Sequence, residues 1–174
     1  MTTDLSYPIG KFAKPTAYSA ESRAATIATI AALPAALRQS VAGLTDAQLD
    51  LNYRPGGWSV RQVVHHVADS HMNALIRLKL ALTEETPTVK PYDERAWATL
   101  ADVRLPVEPS LAIVEHVHLR WVTVMQAMRQ DQFSRPLMHP ENGPMIVDGM
   151  LALYAWHGRH HVAHVTGLRE RDGI

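Results

Sequence analysis

Apolar side chains recur at spacings of three and four along four long stretches of the chain, the pattern of helices that bury one face. Between Ser19 and Val41 the stripe is Ile27, Ile30, Leu33, Leu37 and Val41, and Pro34 within it predicts a kink because it removes a backbone donor. From Ser59 to Leu82 the stripe is Val60, Val63, Val67, Ala74 and Leu78, opened by Ser59 and Gln62 at capping-box spacing. A third helix is predicted from Glu108 to about Arg129, with Pro109 tolerated in its first turn and Leu111, Val114, Val117, Trp121, Val124 and Met128 on its buried side. The fourth is predicted with Asp148 as N-cap and runs to about Arg169, stopping before Gly173.

The intervening segments are short and rich in turn residues. Residues 1–18 hold Pro8, Gly10 and Pro15 without periodicity and read as an extended arm over the surface. Gly43 closes the first helix, Thr45 and Gln48 predict a short helical turn over Thr45–Asp50, and Asn52–Trp58 is a loop. Thr86–Pro91 is a linker, Asp93–Leu100 another short helical turn, and Phe133–Val147 a small hairpin or loop around Asn142-Gly143. These elements predict one all-α domain over residues 1–174: an antiparallel four-helix bundle with short extra helices and a small hairpin or loop before the last helix.

Composition narrows the chemistry. Ten histidines stand against no cysteine, and 17 basic side chains balance 17 acidic ones. Disulfides, thiolate zinc sites, iron–sulfur clusters and a protein thiol nucleophile are excluded. Charge balance argues against a nucleic-acid partner and against a polybasic membrane anchor. The longest uncharged run, Ala24–Leu37, has 14 residues, too few to span a bilayer, and Met1–Gly10 lacks the pattern of a signal peptide. A cytoplasmic protein that binds neither membrane nor nucleic acid is expected.

The histidines are clustered. His65, His66 and His71 fall on the second long helix; His157, His160, His161 and His164 fall on the fourth. Residues four apart lie about 40° apart around a helix and one turn along it, so one metal ion can bridge two imidazoles. That spacing fits both His157 with His161 and His160 with His164. The apolar face separates the pairs: His157 and His161 border the side of Leu151, Tyr154, Val162 and Val165, His164 is intermediate, and His160 is expected to be the most exposed. On the second helix His66 lies on the shoulder of the core and His65 is turned away, while Ser70, Asn73 and Arg77 continue the His66 side as a polar stripe able to line a pocket. Three neutral imidazoles from two helices leave a coordination position open for water or substrate, and imidazole suits zinc, nickel or cobalt. His71, His116, His118 and His139 read as structural histidines.

The segment Gly57-Trp58-Ser59-Val60-Arg61-Gln62-Val63-Val64-His65-His66-Val67-Ala68-Asp69-Ser70-His71-Met72-Asn73 resembles the YfiT branch of the DinB superfamily. Leu5–Gly10, Leu82–Pro87, Lys90–Glu94 and Tyr154–His161 match in the same order and extend the resemblance over nearly the whole chain. Many DinB relatives carry Arg-Gly-Gln after the last ligand; here Val162-Ala163-His164 follows, as in the YfiT branch. The resemblance implies an antiparallel four-helix bundle, usually a homodimer, with a zinc or nickel site whose ligands are His66, His157 and His161.

The resemblance further implies a metal-dependent hydrolase that activates water, or an S-transferase that joins bacillithiol or another low-molecular-weight thiol to small electrophiles. Both chemistries use a metal ion to make a nucleophile near neutral pH. A structural module whose metal clips two helices together is the non-enzymatic alternative. Asp69, Asp93, Glu94 and His164 are candidates to orient a ligand or carry a proton. Arg77 either attracts an anionic substrate or forms an exposed salt bridge, and Tyr92, Trp97 and Trp156 read as packing residues.

Overall fold

The computed structural model describes residues 4–174, so Met1, Thr2 and Thr3 of the expected arm lie outside it. Four long helices carry the fold: α1 (Ala20–Val41), α3 (Val60–Thr83), α5 (Glu108–Gln126) and α6 (Val147–Asp172). Two single-turn helices, α2 (Asp46–Leu49) and α4 (Glu94–Trp97), sit in the first two connections. Strands β1 (Pro136–His139) and β2 (Gly143–Ile146) form an antiparallel hairpin before α6, pairing Pro136 with Ile146 and His139 with Gly143. Gly143 takes the left-handed conformation (φ 72°) that this tight reversal requires.

Local chemistry sets most helix starts. Ser19, Thr45 and Ser59 each cap a helix reciprocally with Ser22, Gln48 and Gln62. Asp93 accepts from the backbone of Arg95 and Ala96 to start α4. Helix α1 continues through Pro34, whereas α5 ends at Gln126, short of the expected Arg129, and gives way to a 3₁₀ turn over Gln130–Ser134. Asp148 is not an N-cap. Helix α6 begins at Val147 directly out of β2 with Ile146 at the cap position, so Asp148 lies inside the first turn, its buried carboxylate gripped by Arg23 (Nε 2.9 Å, Nη2 2.7 Å).

Contacts at the helix ends define the topology. Arg23 meets Asp148 at the starts of α1 and α6, and Arg169 donates to the Ser40 carbonyl at their ends, so these two helices run parallel. His65 to Ser110 and His71 to His118 make α3 and α5 parallel in the same way. The two pairs oppose each other: Arg38 near the end of α1 binds Glu108 at the start of α5, while His66 and Arg77 of α3 meet His157 and Tyr154 of α6 in reverse order. Residues 84–107 must therefore return along the bundle before α5 can start beside the beginning of α3. This crossover carries α4 and is tied down by buried Arg61, which binds Asp46, Asp50 and the Leu105 carbonyl.

By length and composition α1 is apolar enough to cross a membrane, beyond the 14-residue run that the sequence suggested. In the fold it buries one stripe, Ile30, Leu33 and Leu37, against the bundle and leaves its other faces exposed or half-buried. The core has two apolar clusters. One gathers Leu78, Trp121, Met125, Met150 and Leu151; the other gathers Leu37, Val60, Val63, Val67, Val114 and Leu168. Between them, every inward turn of α3, α5 and α6 presents histidine.

Gly158 sets how closely α6 approaches α1 next to this layer, because a Cβ there would lie 2.5 Å from Leu33 Cδ2 and 3.2 Å from its Cγ. Leu33 is itself buried and cannot simply swing away. Gly158→Ala is expected to lower stability: overpacking costs about 1–3 kcal/mol, against a helix-propensity gain of at most about 1 kcal/mol. Thermal unfolding followed by circular dichroism checks this, and an unchanged or raised Tm would contradict it.

Candidate metal centre

The antiparallel contact of α3 with α6 brings His66 across from His157 and His161, which lie one turn apart on α6. Nε2 of His157 is 3.2 Å from Nε2 of His66 and 3.1 Å from Nε2 of His161, and the three ligand atoms all lie within 4.8 Å of one another. Nitrogens bound about 2.0–2.1 Å from one zinc ion lie roughly 3.3 Å apart at tetrahedral angles. The donor set and its spacing therefore fit a divalent ion. His160 and His164, the other pair at metal-binding spacing, point elsewhere.

The electrostatics also suit metal ligation, which needs neutral imidazole. Burial pushes the His66 pKa down to about 4. His157 and His161 are held well below the usual histidine value, first by burial and then by the neighbouring imidazoles. Nδ1 of His157 faces Nε2 of His71 at 3.2 Å, so the second nitrogen of this ligand is engaged by another histidine and not by a carboxylate.

The three rings open on a cavity of about 330 Å³. Its wall continues along α3 through Ser70 and Arg77, as the polar stripe predicted, whereas Asn73 turns back to the Asp69 carbonyl. The rest comes from the crossover and the hairpin: Pro91, Tyr92 and Glu94 on one side, His139, Glu141 and Asn142 on the other. A groove of about 440 Å³ between α1 and α5 is larger, but its wall is mostly Ala31, Pro34, Ala35, Leu111, Leu119 and Val122 and gathers no converging ligands.

Arg77 is buried, donating from Nη1 to Tyr154 Oη (3.0 Å) and from Nη2 to the Lys90 carbonyl (2.8 Å), with Nε unpartnered. Among the described residues no carboxylate pairs with it, so the exposed salt bridge is ruled out. Tyr92 packs on Trp97 (4.4 Å between ring centres) and also faces the cavity; burial raises its pKa to about 12, so its hydroxyl stays protonated. Glu94 is an exposed group at the rim, and Asp93 is occupied as a cap. Asp69 lies outside this cavity, in the packed space between α3 and α4 with His65, His66 and Tyr92; burial first, then Asp102, raises its pKa to about 6.

Two expected orientations are corrected. His65 is buried, its Nδ1 2.7 Å from Ser110 Oγ and its Nε2 facing the Leu105 carbonyl at 3.2 Å. His160 is buried too, stacked on Trp156 (4.4 Å) with Tyr7 of the arm nearby, while Trp156 donates to the Gly10 carbonyl. A wheel drawn for one helix cannot show that a neighbouring helix or a chain-distant arm covers its other face. The same arm reaches His164, which stacks on Tyr53 (3.9 Å) and faces the Ser6 carbonyl.

Sequence reasoning also missed His71 and His118 as partners of the site. His71 is fully buried between His157 and His118, and His118 Nδ1 faces the Ile30 carbonyl at 2.7 Å. Position on α3 could have flagged His71, five residues from His66 and on the buried side. The α5 stripe could have flagged His118, four residues after Val114 and three before Trp121, as a buried histidine, but not its partners.

The family model of the DinB superfamily matches residues 29–165. The chain belongs to the DinB superfamily. It is 49% identical over 168 residues to a Bacillus cereus protein named "Putative metal-dependent hydrolase", covering 97% of each chain. A Bacillus mycoides protein of the same description is 48% identical over the same length and coverage. Among solved structures, YfiT from Bacillus subtilis superposes with a TM-score of 0.95 at 46% identity, covering 98% of both chains, and is described as "a probable metal-dependent hydrolase with an unusual four-helix bundle topology". A second four-helix bundle protein, TT2238, shares the fold at a TM-score of 0.55 and 20% identity, over 87% of this chain and 99% of its own.

Replacing His157 by alanine is expected to abolish tight binding of zinc or nickel while the helical content persists. Elemental analysis after gel filtration measures this, and full metal retention would remove His157 from the ligand set. A second expectation concerns acid. His66, His71, His118, His157, His161 and His164 all have folded pKa values below the unfolded value of about 6.5. Below that pH the unfolded chain binds protons that the folded chain resists, so their stabilisation is present above about pH 6.5 and is lost progressively towards pH 4. The Tm of metal-free protein should drop by more than about 5 °C between pH 7 and pH 5; a flat profile would show that these rings are not held neutral.

Proposed function

We propose that this protein is a metal-dependent hydrolase acting on small substrates that carry an anionic group. The observation that carries the reading is the convergence of three neutral imidazoles on an open cavity whose α3 wall continues to Arg77, a buried cation that pairs with no carboxylate among the described residues. A structural metal clip needs no such cavity, and structural zinc is usually closed by four protein ligands.

His66, His157 and His161 would hold zinc or nickel, both of which accept imidazole nitrogen. A bound divalent ion supplies Lewis acidity and makes water acidic near neutral pH. The chain supplies the remaining tasks. Arg77 attracts and orients the anionic group, and the Tyr154 and Lys90 oxygens fix its guanidinium on the cavity side of α3. Tyr92, protonated throughout the neutral range, offers a hydroxyl proton to negative charge that develops during attack. The apolar clusters on either side of the histidine layer exclude water from it along the bundle axis.

Thiol transfer is the second reading. The chain has no cysteine, so sulfur chemistry at this centre requires a thiol cosubstrate, and the open cavity leaves room for one. The two readings separate in one assay on zinc- or nickel-loaded protein. A panel of model esters, amides and alkylating electrophiles, each with and without a carboxylate, is followed with no thiol, with glutathione and with bacillithiol. Thiol-independent turnover of the carboxylated compounds is expected. Arg77→Met should raise KM for them by roughly 10–100-fold, the size of effect expected on losing a charged hydrogen-bonded contact, and leave the uncharged compounds nearly unaffected. Turnover only with thiol present would establish transfer instead, and equal KM changes for both sets would remove Arg77 from substrate recognition.

A further inference from the structure

A row of imidazoles leads from the metal centre through the bundle core to a backbone carbonyl. His157 Nδ1 lies 3.2 Å from His71 Nε2, His71 Nδ1 lies 2.8 Å from His118 Nε2, and His118 Nδ1 lies 2.7 Å from the Ile30 carbonyl oxygen. His71 and His118 are 0% and 1% exposed, so water cannot complete their hydrogen bonding. The row crosses three helix interfaces: α6 to α3, α3 to α5, and α5 to α1.

The end of the row determines the position of every proton in it. A carbonyl oxygen only accepts, so His118 Nδ1 carries a hydrogen and donates. A neutral imidazole has one N–H, which leaves His118 Nε2 as acceptor and makes His71 Nδ1 the donor towards it. By the same count His71 Nε2 accepts, and His157 Nδ1 donates. His157 is left with its lone pair on Nε2, the atom that faces Nε2 of His66 and His161. Neutral histidine in water prefers the other tautomer, with hydrogen on Nε2, which cannot bind a metal through that atom.

We propose that the Ile30 carbonyl, acting through the positioning residues His118 and His71, fixes the tautomer and ring orientation of His157 so that its Nε2 lone pair is presented to the metal centre before an ion arrives. The row is not a proton conduit. It stops at a carbonyl that has no proton to give or pass on, and reversing it would turn a lone pair against that carbonyl. His118 and His71 lie in near-parallel planes with centres 4.9 Å apart, the edge-to-edge placement an in-line N–H···N bond requires, and the Trp121 ring stands edge-on to both. The proposal rests on His157 being a metal ligand. Its first readout, however, is taken without metal.

Two substitutions at His118 test it. His118→Leu removes both the donor and the acceptor; His118→Gln keeps an amide N–H for Ile30 and an amide oxygen for His71. In metal-free, ¹⁵N-histidine-labelled protein, NMR is expected to show His157 protonated on Nδ1 in the wild type and in His118→Gln, and mixed or Nε2-protonated in His118→Leu. Competition with a chromogenic chelator should show zinc binding weakened by about 10–100-fold in His118→Leu and close to wild type in His118→Gln. A merely structural role for His118 would not restore the tautomer with glutamine. Wild-type His157 carrying its proton on Nε2 would overturn the proposal whatever the variants do. So would His118→Leu binding zinc like the wild type with His157 still protonated on Nδ1. Should His118→Leu fail to fold, the tautomers of the wild type and of His118→Gln still decide. If His157→Ala retains its metal while the wild-type tautomer is as expected, the ligand assignment fails and the tautomer relay stands.

Discussion

The structure depends on keeping a layer of histidines neutral inside a helical bundle. Apolar packing alone would close the core with leucine and valine, as it does at both ends. In the middle, α3, α5 and α6 bring imidazoles together, and each buried ring nitrogen needs a partner because an unsatisfied polar group there costs about 1–3 kcal/mol. His71 and His118 meet that requirement with each other, with His157 and with a backbone carbonyl. His161 does not: its Nδ1 is buried without a partner. The layer thus combines one fully satisfied row, which is rigid, with a cluster whose three free Nε2 atoms point at one another. Such a cluster has the donor type and spacing that suit a divalent cation.

The topology follows from this layer and also serves it. Parallel α3 and α5 require the long return of residues 84–107, which on a simple up-and-down bundle would be unnecessary. That return supplies Pro91, Tyr92 and Glu94 to the cavity wall, and its contacts with Arg61 and Gln62 hold it against α3. The β1–β2 hairpin does the same from the opposite side, bringing His139 and Asn142 to the mouth. The rigid helices hold the three converging histidines while the two irregular connections shape what can reach them, the usual division of labour between scaffold and loops.

Arg77 shows how the same economy extends to charge. A buried guanidinium without a carboxylate is costly to keep, and neutral oxygens from Tyr154 and Lys90 only partly offset that cost. The unpaired guanidinium gives the inner α3 wall one point that can bind an anion, while Glu94 and Glu141 line the same cavity on its crossover and hairpin sides. The anionic group of the proposed substrate is the complement of that unpaired guanidinium.

Helix positions were legible in the sequence because amphipathic periodicity and capping boxes are local: Ser19, Thr45 and Ser59 start their helices where their spacing says they should. The trio His66, His157 and His161 was legible too, since position on a helix face is a property of each helix alone. Asp148, His65 and His160 were misjudged for one shared reason, that each is governed by a partner far away in the chain: Arg23, Ser110 and the N-terminal arm. The burial of His118 follows from its place on the α5 stripe, but its partner does not, because the Ile30 carbonyl lies 88 residues earlier. The sequence by itself determined which residues form helices and which histidines border the core. Only the tertiary structure decided that α3 opposes α6, that Arg77 pairs with no carboxylate and which way each imidazole donates, because direction, pairing and protonation depend on atoms that meet only after the chain has folded.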